Sequence, residues 1–95
     1  MLEGWRKTRI NLKFTEENIM PHISIKCYPG RTEEQKRLLA EKITKDVVEV
    51  FECKERSVSV SIQDIAQDVW DIEVWDKEIE PQKDYLYKKP GYTRE

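Results

Sequence analysis

The stretch that decides the fold is MPHISIKCYPGR, which occupies residues 20–31. Between residues 22 and 28, apolar and polar side chains alternate with a period of two, as in a strand that has one face on a core. The apolar side of this strand consists of Ile23, Ile25 and Cys27. Pro29-Gly30 is a turn signal, so the stretch predicts a half-buried strand that ends in a turn.

A long helix is predicted directly after that turn. Thr32-Glu33-Glu34-Gln35 fits a capping box, in which Thr32 caps the first turn and Gln35 reaches back to it. The two glutamates suit the positive end of the helix dipole. A stripe of apolar residues follows at helical spacing: Leu39, Ile43, Val47 and Val50, widened by Leu38 and Phe51. The helix is expected to run to about Phe51.

A second strand follows a short polar connection. Residues 57–63 alternate cleanly, and the side that would face the helix carries Val58, Val60 and Ile62. Strand, helix and strand in this order form a β-α-β unit, in which the strands are parallel and the crossover is right-handed. Two strands with one helix leave exposed edges and a half-covered sheet, which a partner subunit would extend and cover. We therefore predict an α+β fold with two parallel strands and one long helix.

The C-terminal part of the chain is predicted to be a helical tail, with Asp68 as the cap of its helix. The apolar face of that helix carries Trp70, Ile72, Trp75 and Ile79. The two tryptophans supply a large apolar area, and packing within the subunit or across a dimer is one use for it. Lining a ligand pocket is a second use, for Trp70.

Composition limits the class of protein. Ninety-five residues suggest one domain, and such a short, charged chain buries a limited core, so two or more copies are expected to associate. The formal net charge of −2 argues against nucleic acid as the main partner. No apolar run is long enough for a membrane span, and no secretory signal is recognised, so the expected compartment is the cytoplasm. Cys27 and Cys53 lack metal-ligand spacing and are interpreted as reduced thiols.

The first nineteen residues differ from the rest. Ile10, Leu12 and Phe14 alternate with polar residues, as in an added edge strand. Alternatively, the segment is not translated, since Glu16-Glu17 permits a purine run of the ribosome-binding type upstream of the Met20 codon. We favour a misplaced start over a functional extension, and proteolytic removal ranks third. The chain is thus divided into an N-terminal extension, residues 1–19, and a folded domain, residues 20–95.

The start of the chain decides the chemistry of Pro21. If Met20 is the true start, removal of this methionine before a small residue leaves a free secondary amine on Pro21. The pKa of such an amine begins near that of α-amino groups, about 7.7–8.0, and an apolar pocket lowers it toward neutrality. A base with that pKa suits proton transfer next to a carbonyl. An internal proline nitrogen, by contrast, is an amide and is not basic.

Four stretches carry a resemblance to a known family. They are PHISIKCYP at residues 21–29, EQK at 34–36, VWDKEIEPQ at 74–82 and KKPGY at 88–92. With these motifs the chain resembles the 4-oxalocrotonate tautomerase family, and within it the small PptA-type tautomerases. The resemblance covers residues 20–93 and excludes the extension.

The resemblance implies a tautomerase fold completed by dimerisation, and an isomerase that moves a proton between the oxygen and carbon of an enol acid. Pro21 matches the catalytic base of the family, Arg31 an arginine that binds the substrate carboxylate, and Trp70 an aromatic residue that closes the pocket. A second family arginine is replaced by Ser59, which favours enols of 2-keto monoacids such as phenylpyruvate. His22, a backbone N–H or a water molecule would support charge on the substrate oxygen. Neither a metal nor an organic cofactor is implied.

Two other functions stay open from the sequence. The first is a non-catalytic binding or scaffold protein of the same fold, in which residues 1–19 block Pro21. The second is a small β-α-β regulatory module that binds a partner by addition to a sheet edge. The mass of the natural protein separates them, because a chain that begins at Pro21 favours the enzyme and a retained Met1 favours binding.

Overall fold

The structure is a computed structural model that describes residues 19–95. The predicted edge strand in the extension, and all of the extension except its last residue, lie outside the described residues. The main elements are strand β1 (His22–Cys27), helix α1 (Glu33–Phe51), strand β2 (Ser59–Asp64) and a π-helix (Asp71–Ile79). Three short 3-10 turns lie at Glu55–Ser57, Gln67–Val69 and Lys83–Tyr85. None of the helices in this part of the chain has the length and apolarity needed to cross a membrane.

The described chain divides into two compact units. The first unit comprises residues 19–25 and Arg31–Ile62, and it contains α1. The second comprises Lys26–Gly30 and Gln63–Glu95. It therefore contains the turn after β1, the π-helix and an end segment, which we define as residues 86–95.

The two strands are hydrogen-bonded neighbours in one sheet. The carbonyl oxygen of Pro21 accepts from the N–H of Ser59 at 3.1 Å, and that of Cys27 accepts from the N–H of Ile65 at 2.8 Å. In both bonds the donor lies 38 positions after the acceptor, and a constant offset means that the strands run parallel. The predicted β-α-β unit with two parallel strands and one helix is therefore confirmed.

The second strand begins two residues later than the sequence predicts. Ser57 closes the 3-10 turn that starts at Glu55, and its hydroxyl donates to the carbonyl of Lys54 at 2.8 Å. This local bond holds Ser57 in the turn and keeps it out of the sheet. The first residue of β2 is consequently Ser59.

Helix α1 begins and ends where the sequence predicts. The hydroxyl of Thr32 accepts from the backbone N–H of Gln35 at 3.0 Å, and the side-chain oxygen of Gln35 accepts from the backbone N–H of Thr32 at 2.8 Å. The capping box is thus complete. The last helical residue is Phe51, after which Glu52 adopts a left-handed backbone with φ 58°.

The face of α1 that one chain covers differs from the predicted stripe. Half-buried side chains recur three and four residues apart, at Ala40, Ile43, Thr44, Val47 and Val48. Leu39 and Val50, which belong to the apolar stripe at helical spacing, are 42% and 72% exposed. Spacing identifies an apolar face, whereas exposure depends on the surfaces that a single chain supplies. Leu38 and Phe51 are exposed as well.

A single chain buries little of itself. Among the described residues only Cys53, Ser57 and Val74 are buried, and no side chain is fully removed from solvent. Small domains are stabilised by the apolar area that they remove from water, and short chains have little of it to spare. The exposed apolar side chains of α1 are therefore area that a single chain leaves in contact with water.

The predicted C-terminal helix is present, and it is a π-helix. Its hydrogen bonds span five residues, as in the bond from the N–H of Glu80 to the carbonyl of Trp75 at 2.9 Å. Residues four and five apart therefore share one face, which carries Trp70, Val74, Trp75 and Ile79. Val74 is buried on this face, whereas Ile72, which α-helical spacing would place there, is 57% exposed. Asp68 lies in the preceding 3-10 turn, and no side chain caps the π-helix, so the predicted Asp68 cap was wrong.

Candidate active site

Pro21 lies directly before β1 and is half-buried. Its carbonyl oxygen accepts the backbone N–H of Ser59, the first residue of β2, at 3.1 Å. A proline is suited to the head of a strand, because it has no N–H to contribute to the ladder. The bond to Ser59 holds the Pro21 backbone at the start of the sheet, and this limits the directions in which its ring can point.

His22 and Ser59 face each other across the two strands. Nδ1 of His22 and Oγ of Ser59 lie 2.7 Å apart in a hydrogen bond between two exposed side chains. Ser59 therefore contacts Pro21 through its backbone and His22 through its hydroxyl. The first unit thus brings together Pro21, His22 and Ser59. The sequence singled out all three positions but gave no sign that Ser59 is the partner of His22.

Arg31 is exposed and lies just before the capping residue Thr32. It follows Gly30, whose φ of 127° is a backbone conformation that favours glycine. The whole of β1, six residues long, separates Arg31 from Pro21. At the usual rise of a strand, β1 is about 20 Å long.

Trp70 lines a cavity in the second unit. The cavity has a volume of about 360 Å³, and its walls are Lys26, Cys27, Tyr28, Trp70 and Tyr92. The rings of Tyr28 and Trp70 meet edge to face, with their centroids 5.1 Å apart and an angle of 89° between their planes. The ammonium group of Lys26 is paired with the carboxylate of Glu78, so its charge is balanced at the wall. The cavity offers a ligand flat aromatic surfaces and one thiol.

Sequence reasoning identified Trp70 as a pocket candidate and missed the other aromatic walls. Tyr28 follows the last residue of β1, and Tyr92 lies near the C-terminus. The C-terminal part of the sequence is rich in aromatic residues, and this was the available signal. Composition does not indicate which of these rings contact each other in the fold. In residues 19–95, no three His, Cys, Asp or Glu side chains are grouped so as to hold a metal ion, and we assign no metal ligands.

A family model matches this chain, and several curated proteins are similar to it. The model of a family described as tautomerase enzyme matches residues 21–75. Tautomerase PptA of Enterobacter sp. (strain 638) is 45% identical over 75 residues, which are 78% of this chain and 99% of that protein. Tautomerase PptA of Klebsiella pneumoniae (strain 342) is 47% identical over the same shares of both chains.

A solved structure is also similar. It is described as the crystal structure of YwhB, a homologue of 4-oxalocrotonate tautomerase, and it is 40% identical to this chain. The superposition covers 50% of this chain and 79% of that chain, with a TM-score of 0.49.

Proposed function

The chain belongs to the tautomerase family, and on that premise we propose that it interconverts the enol and keto forms of small 2-keto acids. The proposed catalytic group is the free amine of Pro21 at the N-terminus of the active chain. The observation that carries this assignment is that the family match starts at residue 21 and that relatives are aligned over 99% of their length. Residues 1–20 lie outside the range that the family model matches.

The proposed reaction is a proton transfer without a cofactor. The neutral amine of Pro21 takes the hydroxyl proton of the enol, and the resulting ammonium group delivers a proton to the β-carbon. One O–H bond is thereby replaced by one C–H bond, and no atom is oxidised or reduced. Pro21 is half-buried, and partial removal from water favours the neutral amine that this reaction requires.

We assign the other predicted site residues to substrate binding. Arg31 would hold the carboxylate of the acid through a bidentate, charge-assisted contact. Trp70 would offer an aromatic wall to an apolar substrate side chain. His22 follows Pro21 in the chain, and its ring is held by a hydrogen bond to Ser59. This histidine would donate a hydrogen bond to the substrate oxygen on which negative charge develops. Ser59 in place of a second arginine supports monoacids, such as phenylpyruvate, as the substrate class.

The separation of Pro21 and Arg31 makes a second chain part of this proposal. Since β1 and the following turn lie between the two residues along the chain, we propose that the arginine that meets Pro21 comes from another copy. The exposed apolar side chains of α1 and the small number of buried residues supply a reason for copies to associate. We propose a homodimer as the active form. The cytoplasm stays the predicted compartment.

The first experiment tests the amine. Protein that begins at Pro21 is compared with its Pro21→Ala variant in the ketonisation of enol-phenylpyruvate, and Pro81→Ala serves as the control because Pro81 is an exposed proline outside the proposed site. We expect a loss of at least about a hundredfold in kcat for Pro21→Ala, the usual contribution of general acid–base catalysis. Protein that retains residues 1–20 should be as inactive as Pro21→Ala. Equal rates for the protein that begins at Pro21 and its Pro21→Ala variant would refute the assignment.

The second experiment tests whether sites are shared between chains. Pro21→Ala and Arg31→Ala variants, each inactive alone, are unfolded together and refolded as a mixture. Recovery of roughly a quarter of the wild-type activity is expected for a dimer, since half of the dimers would be mixed and half of their sites intact. No recovery would mean that each chain uses its own arginine. Arg37→Ala, which alters an exposed arginine of α1, is the matched control.

A non-catalytic binding protein is the second candidate. The observation in its favour is that the nitrogen of Pro21 is acylated by Met20 in the 95-residue chain. The intact mass of the protein from its natural host decides between the two. A mature chain that begins at Pro21 supports the enzyme, and a chain that keeps Met20 on Pro21 supports binding.

A further inference from the structure

Tyr92 connects the two tryptophans of the second unit. The indole N–H of Trp70 donates to the hydroxyl oxygen of Tyr92 at 3.1 Å. The ring of Tyr92 meets that of Trp75 with centroids 5.6 Å apart and 60° between the planes. One side chain therefore holds Trp70 by a hydrogen bond and rests on Trp75 by ring packing.

The end segment is itself fastened to the π-helix next to Tyr92. The guanidinium group of Arg94 donates to both carboxylate oxygens of Asp76, at 2.8 and 2.9 Å. The backbone N–H of Glu95 donates to the carboxylate of Asp71 at 3.3 Å. A planar, bidentate pair of this kind fixes orientation as well as distance. These contacts hold the chain directly after Tyr92 against the π-helix.

The same tyrosine is a wall of the aromatic cavity. Its hydroxyl is the hydrogen-bond partner of the Trp70 indole, and the rings of Trp70 and Tyr28 meet edge to face. Without the hydroxyl, the indole N–H of the half-buried Trp70 would lose its partner, and the ring would be free to adopt other rotamers. The shape of the cavity therefore depends on a residue of the end segment.

We propose that Tyr92 is a positioning and specificity-determining residue. Its hydroxyl fixes the orientation of the Trp70 ring in the cavity wall, so that the cavity accepts a flat aromatic group in preference to a small aliphatic one. This inference rests on the proposed function only in identifying that group as the side chain of a 2-keto acid. The selectivity itself follows from the arrangement of Tyr28, Trp70 and Tyr92.

The test measures binding to the full 95-residue chain, where catalysis is not needed. The probes are 3-phenylpropanoate and propanoate, which share a carboxylate and differ in the phenyl group. Their dissociation constants are measured by NMR titration for the wild type, Tyr92→Phe and Tyr92→Ala. The matched controls are Tyr87→Phe and Tyr87→Ala, because Tyr87 belongs to the same end segment and is fully exposed.

The two substitutions separate the hydroxyl from the ring. Tyr92→Phe should weaken binding of 3-phenylpropanoate about fivefold, the usual effect of one hydrogen bond, and Tyr92→Ala should weaken it further. Binding of propanoate should change less than twofold in both, and the Tyr87 variants should match the wild type. The indole N–H resonance of Trp70, identified from Trp70→Phe, should shift in Tyr92→Phe and stay in place in Tyr87→Phe.

The inference is overturned if the Tyr92 variants leave the preference for the phenyl acid unchanged, or weaken both acids equally. It is also overturned if the wild type binds the two acids equally or binds neither. These outcomes are independent of the catalytic test, since protein that begins at Pro21 can be inactive while the binding preference and its dependence on Tyr92 remain.

Discussion

His22 and Ser59 share a hydrogen bond of 2.7 Å between Nδ1 and Oγ, across two parallel strands. The backbone N–H of the same serine holds the carbonyl of Pro21. Ser59 is therefore the residue through which β2 fixes both the proposed base and its neighbour. Its substitution is the most direct way to disturb the site without touching Pro21.

Removal of the Ser59 hydroxyl should slow the reaction moderately. In protein that begins at Pro21, Ser59→Ala is expected to lower kcat/KM for enol-phenylpyruvate about fivefold, since one hydrogen bond contributes about 1 kcal/mol. The backbone bond to Pro21 stays in this variant. Ser61→Ala alters an exposed serine on the same side of β2 and should retain full activity. An equal loss in both variants would show that the effect is not specific to His22.

Introduction of a cation at Ser59 should change the substrate class. Ser59 is exposed, so Ser59→Arg buries no charge, and a charged hydrogen bond contributes about 1.5 kcal/mol or more. We expect the ratio of kcat/KM for a dicarboxylate enol to that for enol-phenylpyruvate to rise by at least about tenfold. Ser59→Gln is the uncharged control. A similar rise in Ser59→Gln would contradict the electrostatic explanation.

Loss of the helix cap should be visible in stability. Thr32→Ala removes the acceptor for the N–H of Gln35 and is expected to lower the free energy of unfolding by about 1 kcal/mol. For a domain of this size the Tm should fall by about 4–8 °C. Thr32→Ser keeps the acceptor oxygen and should unfold close to the wild type. A fall of the same size in Thr32→Ser would mean that the hydroxyl is not the cause.

The pair of Asp76 and Arg94 should persist to low pH. The hydrogen bond from Arg94 holds the pKa of the Asp76 carboxyl below its ordinary value of 3.8. Because the folded-state pKa is lowered, stabilisation by the pair is present above the ordinary pKa and is lost as the pH falls through the lowered one. Titration of the Asp76 carboxyl by NMR should give a higher pKa in Arg94→Gln. Lys83→Gln, which breaks a neighbouring pair with Glu80, should leave the titration of Asp76 unchanged.

The parts of the fold that the sequence predicted are those with local signals. The capping box of Thr32 and Gln35 lies within four residues, and its geometry is the one that the motif requires. The alternation in β1 and β2 similarly depends on nearest neighbours and on one core-facing side. The exposure of Leu39 and Val50 could not be predicted in this way, because helical spacing does not say how much of an apolar face one chain covers.

The sequence allowed a site residue to be proposed only where a single residue carried the signal. Pro21 follows from its place in the family motif, whereas the bonds of Ser59 to both Pro21 and His22 depend on the register of two strands. The contact between Trp70 and Tyr92 joins residues 22 positions apart. It also depends on a π-helix, whose spacing of four and five residues the sequence did not distinguish from an α-helix.

The backbone of Met20 has a φ of 52°, directly before a proline. A residue other than glycine in this region carries strain of about 1–3 kcal/mol, and the ring of a following proline narrows the choices of backbone angle further. A chain that starts one residue later has no such torsion angle to hold. We therefore expect the protein that begins at Pro21 to melt at a higher temperature than the 95-residue chain. The strained backbone of Met20 would then lower the stability of the domain that follows it.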